Sequence, residues 1–300
     1  MSVWKISAEA SKRDVQNALL AHDEAWDFPE DLVVSGREIA EDRPEDWVLE
    51  VWLEHKPTSA EKRAVSSLFG VAAPQLSSER LPDTDWVTES QKNVTPIRAG
   101  RFHVRTPDHP PEPAMVDFTI PASQAFGTGQ HETTAACLAM LDQMRREGLS
   151  VRNFADIGTG TGLLAFAALH LWPGSLATAS DIDEVCAGVI SANAALNRIR
   201  IGSDRGALTT VIAPGMDHVL LQARAPYDLI IANILAGPLV ELAPDFAQAL
   251  SPGGSLLLAG LLQTQEADVR RAYRALGFRL ARRVIHGDWS ILWLRKSRVR

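Results

Sequence analysis

The sequence predicts an α/β protein: a doubly wound, mostly parallel sheet, preceded by a small α+β module over residues 1–72. Three observations carry this. From residue 130 onward, strand-like apolar runs alternate with helical runs, the pattern of parallel strands covered by helices on both faces. A glycine turn, "GTGTG" at 158–162, joins one such strand to its helix. The first 72 residues instead read β-α-β-β-α, an order that suggests a split βαβ, ferredoxin-like sandwich.

In chain order, "VWKIS" reads as a strand, and "AEASKRDVQNALLAH" has helical spacing at Val15, Ala18 and Leu19. "DLVVSGREI" and "DWVLEVWLEH" read as two strands about a turn rich in Asp, Arg and Pro. In the second, Trp47, Leu49, Val51 and Leu53 alternate with Val48, Glu50, Trp52 and Glu54. "TSAEKRAVSSLFG" opens with Thr58 and Glu61 three residues on, a capping box, and closes at Gly70. A Pro-rich join follows, with two strands expected at Arg101–Arg105 and Met115–Ile120 about the bend "TPDHPPEP". A helix over 131–147 precedes the strand "NFADI", the glycine turn and the helix "LLAFAALHLW". Then come the strand "SLATASDI", the helix "DEVCAGVISANAALNRI", and the strands "ALTTVIA" and "YDLIIANIL". The helix "PLVELAPDFAQAL", a turn at "SPGG", the buried strand "SLLLAG", the helix "QEADVRRAYRALGF" and a hairpin turning at "HGDW" close the chain.

A chain of 300 residues suggests about two domains. Two cysteines, Cys137 and Cys186, lie far apart without a CxxC spacing, which argues against a disulfide framework or structural zinc and for a reducing compartment. The N-terminus lacks the apolar core of a signal peptide, and no run approaches the ~18 apolar residues of a membrane helix. A cytoplasmic protein is expected. Net charge is −7, unevenly spread: residues 1–95 hold 10 basic and 19 acidic residues, and residues 96–300 hold 20 and 18. The acidic stretch Asp23–Glu54 reads either as a solvated face or as a dock for a basic partner. An acidic lobe repels phosphate, so direct binding of nucleic acid is not expected. The basic C-terminal residues read as helix-face and tail solvation.

Chemistry concentrates at three strand ends. In "DIGTGTG", Gly158, Gly160 and Gly162 let backbone approach a ligand at a helix N-terminus. The dinucleotide spacing GxGxxG would need glycine at 163, where the chain has leucine; GxGxG suits a smaller adenosyl ligand without a pyrophosphate. Asp181 ends the next strand, 23 residues after Gly158, where an acid can accept hydrogen bonds from both ribose hydroxyls. Asp183 reads as a helix cap. Asn233 ends "YDLIIAN", placed to touch both cofactor and acceptor; its plainer role would be to cap the next helix. Asn233-Ile234-Leu235-Ala236 lacks the Pro-Pro-aromatic sequence of many nucleobase and glutamine methylases, which argues against planar acceptors. His131 and Glu132 match the start of HExxH, but residue 135 is alanine, so no metal site is expected.

In this order and spacing the three elements resemble class I S-adenosylmethionine-dependent methyltransferases, whose seven-stranded, Rossmann-like sheet is the fold implied. "AFGTGQHETT", "DIGTGTGLLAFAA", "SDIDEVCAGVISANAALN", "YDLIIANILAGPLVELAP" and "LAGLLQTQEADVRRAY" narrow the resemblance. They are similar to the bacterial methyltransferases of large-subunit ribosomal protein L-eleven, the PrmA family, almost continuously over 115–277. The resemblance implies S-adenosylmethionine as cofactor, held at Phe126, Thr133, Thr134, Gly158, Gly160, Asp181 and Asn233, with Asn233 positioning the acceptor and no general base. "AFGTGQHETT" then reads as a segment folding over the methionine end of the ligand. Upstream, "PASQAF" stands where the family has Pro-Gly-x-Ala-Phe: the glycine is replaced and the segment is one residue longer.

The resemblance further implies methylation of lysine side chains and of the N-terminal amine of a basic ribosomal protein. Residues 1–72 would grip that protein, 73–112 would join, and 113–300 would be the methyltransferase domain, acting as a monomer. Lysines of another protein are the alternative substrate, since relatives that methylate an electron-transfer flavoprotein share parts of the pattern. A nicotinamide-dependent oxidoreductase is a rival enzyme reading, which Leu163 disfavours. A non-catalytic scaffold is a third.

Overall fold

The seven strands that end the chain alternate their apolar side chains between two cores, so helices must cover both faces of their sheet. In the computed structural model, residues 4–24, 32–39, 43, 45–53, 55–70, 73–80, 95–121 and 130–298 are described. The chain divides into two units, Met1–Glu89 and Ser90–Arg300.

The first unit holds β1 (Trp4–Ser11), α1 (Lys12–Glu24), β2 (Val33–Glu38), β3 (Asp46–Leu53), α2 (Ser59–Ser67) and β4 (Leu76–Arg80). Its sheet has the order β2-β3-β1-β4, and every pair is antiparallel. Ile6, Ala8, Leu49, Val51 and Leu53 from the sheet bury against Val15, Ala18 and Val65 from the helices. The expected capping box starts α2: Thr58 accepts from the Glu61 amide, and the Glu61 carboxylate accepts from the Thr58 amide at 2.6 Å. β4 departs from the expected β-α-β-β-α order. It lies beyond residue 72 and pairs with β1, completing a βαββαβ sandwich. Its "LSSER" has one apolar side chain, too little pattern to announce a strand; pairing to β1 supplies what periodicity lacks.

Within the acidic stretch, Glu50 is buried and bonded by Lys5 at 3.1 Å and by Arg37 Nε at 3.0 Å. Burial opposes its ionisation, but those hydrogen bonds prevail and hold the carboxyl below its ordinary range. Asp27, Glu30, Asp31, Glu41, Asp42 and Glu54 lie outside the described residues.

The second unit begins with a small sheet of β5 (Ile97–Ala99), β6 (Phe102–Arg105) and β7 (Val116–Thr119). β5 was not expected. It forms a hairpin with β6, while β7 runs parallel to β6. Helix α3 (Gln130–Arg146) is tied to this sheet through buried Asp142, which binds Arg101 at 2.6 Å. Then follow β8 (Asn153–Ile157), α4 (Leu163–Leu171), β9 (Leu176–Asp181), α5 (Val185–Leu196), β10 (Leu208–Ile212), α6 (Val219–Arg224) and β11 (Tyr227–Asn233). Helices α7 (Ala236–Glu241), α8 (Ala243–Ala249) and α9 (Glu266–Ala275) and strands β12 (Leu250–Leu262), β13 (Phe278–His286) and β14 (Trp289–Lys296) complete the unit.

The large sheet has the order β10-β9-β8-β11-β12-β14-β13. β8 to β12 are mutually parallel, and β14 runs antiparallel between β12 and β13. Leu229 and Ile231 of β11 face the core of α3, α4 and α5, whereas Ile230 and Ala232 face the core of α7, α8 and α9. Two expectations need correction. "PLVELAPDFAQAL" is not one helix: it breaks at Leu242, and Pro244, which has no N–H to donate, sits in the first turn of α8. "SPGG" is not a turn before a strand but an irregularity inside β12, where pairing jumps from Tyr227–Leu250 to Leu229–Ser255. The short helix α6 was also not expected.

Candidate functional site

Two neighbouring strands end together where the strand order reverses. From β8 the chain proceeds to β9 and β10 on one side, then returns as β11 and β12 on the other. Open α/β sheets hold ligands beyond the carboxyl ends of their strands at such a reversal. To this place the chain delivers the 158–162 turn after β8, Asp181 ending β9 and Asn233 ending β11.

Close packing explains two of the glycines. A Cβ on Gly158 (φ +70°) would fall 2.2 Å from Cγ2 of Ile234. A Cβ on Gly260 (φ +83°), in β12, would fall 2.3 Å from the carbonyl oxygen of the same Ile234. Side chains are thus excluded at both positions, and the segment leaving Asn233 is wedged against both. At Gly160 the opposite holds: a Cβ would meet nothing within 4 Å, so the turn's crest faces open space.

The carboxylate of Asp181 stitches the turn to β9. Oδ2 accepts from the Gly160 amide at 2.7 Å, and Oδ1 accepts from the Asp183 amide at 3.2 Å. A carboxylate has about four acceptor positions, so capacity for ligand hydroxyls remains. Asp183 serves the helix start, accepting from the Val185 amide at 2.9 Å. Between and beyond them Ile182 and Val185 stand 71% and 67% exposed, an apolar surface beside the carboxylate. Sequence reasoning missed this pair, although an isoleucine between two aspartates at a strand end is a readable signal.

Asp156 is buried beneath the turn. Its Oδ2 accepts from the Thr159 hydroxyl at 2.6 Å, and its Oδ1 has no partner among the described residues. Burial pushes its pKa up to about 7, helped by the charge of Asp181 and opposed by the Thr159 hydroxyl and the Ala165 amide. Cys137 on α3 lies near it; burial above all, with the charge of Asp156, drives that thiol far up. Burial and the charges of Asp181 and Asp183 raise Cys186 to about 11. Neither cysteine is a thiolate near neutral pH, so neither is a ready nucleophile.

Thr133 and Thr134 are buried in the first turn of α3, one turn before Cys137. Asn233 is half-buried. It does not cap the following helix: the N-cap of α7 is Leu235, and no side chain caps it. Phe126 lies outside the described residues, as do the side chains of His131 and Glu132. Among the described residues no group of three or more His, Cys, Asp or Glu could hold a metal.

A family model described as "Ribosomal protein L11 methyltransferase (PrmA)" matches residues 19–297. The chain belongs to the PrmA family. It is 38% identical over 272 residues to the ribosomal protein L11 methyltransferase of Agrobacterium fabrum, covering 89% of this chain and 90% of that relative. To that of Mesorhizobium japonicum it is 41% identical over 244 residues, covering 79% and 80%. Among solved structures, the ribosomal protein L11 methylase of Lactobacillus delbrueckii subsp. bulgaricus is 28% identical, with a TM-score of 0.52 over 68% of this chain and 98% of that one. As a PrmA-family member the chain is a methyltransferase with the Rossmann-like fold of class I, and the oxidoreductase and scaffold readings fall away.

Proposed function

We propose that this PrmA-family enzyme moves methyl groups from S-adenosylmethionine to lysine side chains and the N-terminal amine of ribosomal protein L11. The observation that carries the proposal is the meeting of the 158–162 turn, Asp181 and Asn233 at the reversal of strand order in a chain of this family. The donor set fits an adenosyl ligand. Asp181 has acceptor capacity for ribose hydroxyls, Ile182 and Val185 offer apolar surface for a planar ring, and the crest at Gly160 is open. The unpartnered Oδ1 of Asp156 is a buried polar atom beneath the same turn.

When bound, S-adenosylmethionine supplies a methyl carbon already activated by a sulfonium. The protein's task is then alignment, which contributes roughly 7–11 kcal/mol in the best cases. Thr133 and Thr134 bind on the α3 side, and Phe126 offers an aromatic face worth about 0.5–2 kcal/mol toward a cation. Asn233 orients the acceptor amine through its amide. A lysine is neutral in only about one molecule in 10³ at pH 7, and desolvation of the bound amine raises that fraction. No side chain is assigned as general base. Residues 1–72 grip the basic substrate. The enzyme acts as a monomer. The activity belongs in the cytoplasm, and among the described residues no helix is long and apolar enough to cross a membrane.

Incubation of the enzyme with labelled S-adenosylmethionine and extract from cells lacking it tests this. Label is expected in L11, on lysines and the N-terminus. Label in another protein alone would overturn the substrate. Asn233→Ala is expected to lower the rate about 100-fold, the cost of a small misplacement; full rate with normal cofactor affinity would remove Asn233 from the site.

A further inference from the structure

Helix α5 carries two asparagines one turn apart, Asn193 and Asn197, in "ANAALN". Neither belongs to the residues assigned above, yet each bonds to backbone far away in sequence. Asn193 is buried at 3% exposure, and its Nδ2 donates to the carbonyl of Thr161, inside the glycine turn, at 3.0 Å. Asn197 closes the helix. Its Nδ2 donates at 2.8 Å to the carbonyl of Asn193 and at 2.8 Å to the carbonyl of Thr119; its Oδ1 accepts from the Thr119 amide at 2.7 Å.

Thr119 ends β7, an outer strand of the three-stranded sheet that pairs only with β6 among the described residues. The amide of Asn197 presents a donor and an acceptor side by side, as one residue of a neighbouring strand would. It therefore satisfies backbone groups that an outer strand leaves unpaired. Two hydrogen-bonded links thus meet at Asn193: the Asn197 side chain joins Thr119 to the Asn193 backbone carbonyl, and the Asn193 side chain joins that residue to Thr161. One end lies at the glycine turn. At the other, the sequence passes within six residues into "AFGTGQHETT".

We infer that Asn193 and Asn197 are positioning residues for methyl transfer: they hold the glycine turn and the strand leading into the 125–134 motif in one register. The inference rests on the methyl-transfer reading above, because it assigns the turn and the motif to one ligand. The α5 helix is the spacer, since an i, i+4 pair shares one face at about 6 Å. Neither asparagine is required to touch the ligand. Their chemistry is specific: aspartate at 197 keeps the acceptor for the Thr119 amide but sets an oxygen against the Thr119 carbonyl. Only an amide serves both.

Two readouts test the pair. The first is calorimetric affinity for S-adenosylhomocysteine, well below the melting temperature, for Asn193→Ala, Asn197→Ala and Asn197→Asp. A stability control, Val269→Ala, lies in the opposite core. Each asparagine variant is expected to bind about tenfold more weakly, the weight of one buried hydrogen bond, and Asn197→Asp is expected to fare no better than alanine. The double alanine variant should lose less than the product of the single losses, since the two act in series. Affinity within twofold of wild type, or an equal loss in Val269→Ala, overturns the inference. The second readout needs no ligand, so it stands if the functional reading fails. Asn193→Ala does not touch Thr119, yet amide hydrogen exchange at Thr119 should rise at least fivefold in it. Exchange there unchanged in Asn193→Ala means the two asparagines act separately, and the inference falls.

Discussion

At the scale of single residues, three aspartates within 28 positions have three roles set by surroundings. Asp181 is half-exposed and bonded by the Gly160 amide. Its replacement by alanine should weaken cofactor binding about 10- to 100-fold, as expected when a charged acceptor is removed. Asp183→Ala should leave cofactor affinity alone and cost about 1 kcal/mol of stability through the start of α5. Titration calorimetry on both distinguishes them; equal losses would mean that Asp181 only stitches backbone. Asp156 responds to pH instead. Its folded pKa of about 7 lies above the ordinary 3.8, so between those values the native protein holds a proton the unfolded chain has released. The stability this group contributes is complete below about pH 4 and lost as pH rises through 7. Asp156→Asn keeps an acceptor for Thr159 and removes the titration. In thermal melts without cofactor, its Tm relative to wild type should climb by several degrees from pH 5 to pH 8. A constant difference would show that the carboxyl ionises normally.

At the scale of elements, the site depends on how closely strands and turns approach. Ile234 sits against Gly158 and Gly260, one in the turn after β8 and the other in β12. Gly260 is far in sequence from every assigned residue except Asn233. Gly260→Ala nevertheless sets a methyl group against backbone at a positive φ, and backbone cannot step aside as a side-chain tip can. We expect a loss of about 2–4 kcal/mol in denaturant titration and a methylation rate that falls with displacement of Asn233. Wild-type stability and rate in Gly260→Ala would mean that the 233–235 segment has room to spare. The same dependence on neighbours explains the elements that periodicity missed. β4 has one apolar residue but a partner strand. "SPGG" has turn chemistry yet is absorbed into β12 because Tyr227 and Leu229 pair on either side of it.

At the scale of the whole molecule, the charge is divided as the chain is. Residues 1–95 carry almost twice as many acids as bases, and the unit Met1–Glu89 has its own core of Ile6, Leu49, Val51 and Val65. A fragment of residues 90–300 is expected to bind S-adenosylmethionine with affinity within about threefold of the full chain and to leave L11 unmethylated. Wild-type methylation by this fragment would assign substrate recognition to the second unit alone. Raising salt from 50 to 300 mM should weaken binding of L11 more than binding of cofactor, because the exposed acids are screened over about 10 Å at 0.1 M.

The sequence by itself determined the doubly wound architecture, the capping box at Thr58, the glycine turn and the acid 23 residues after it. Each of these is written in local periodicity or short spacing, so the chain's own backbone chemistry is enough to reveal it. The PrmA resemblance rested on such local runs too. Only the tertiary structure decided why Gly158 and Gly260 must be glycine, why Asp156 holds its proton, and what Asn193 and Asn197 do. The glycines and asparagines depend on contacts between residues 26 to 78 positions apart, and burial at such distances has no signature in the order of neighbouring residues. Packing brings those partners together, and packing is settled by the whole chain at once.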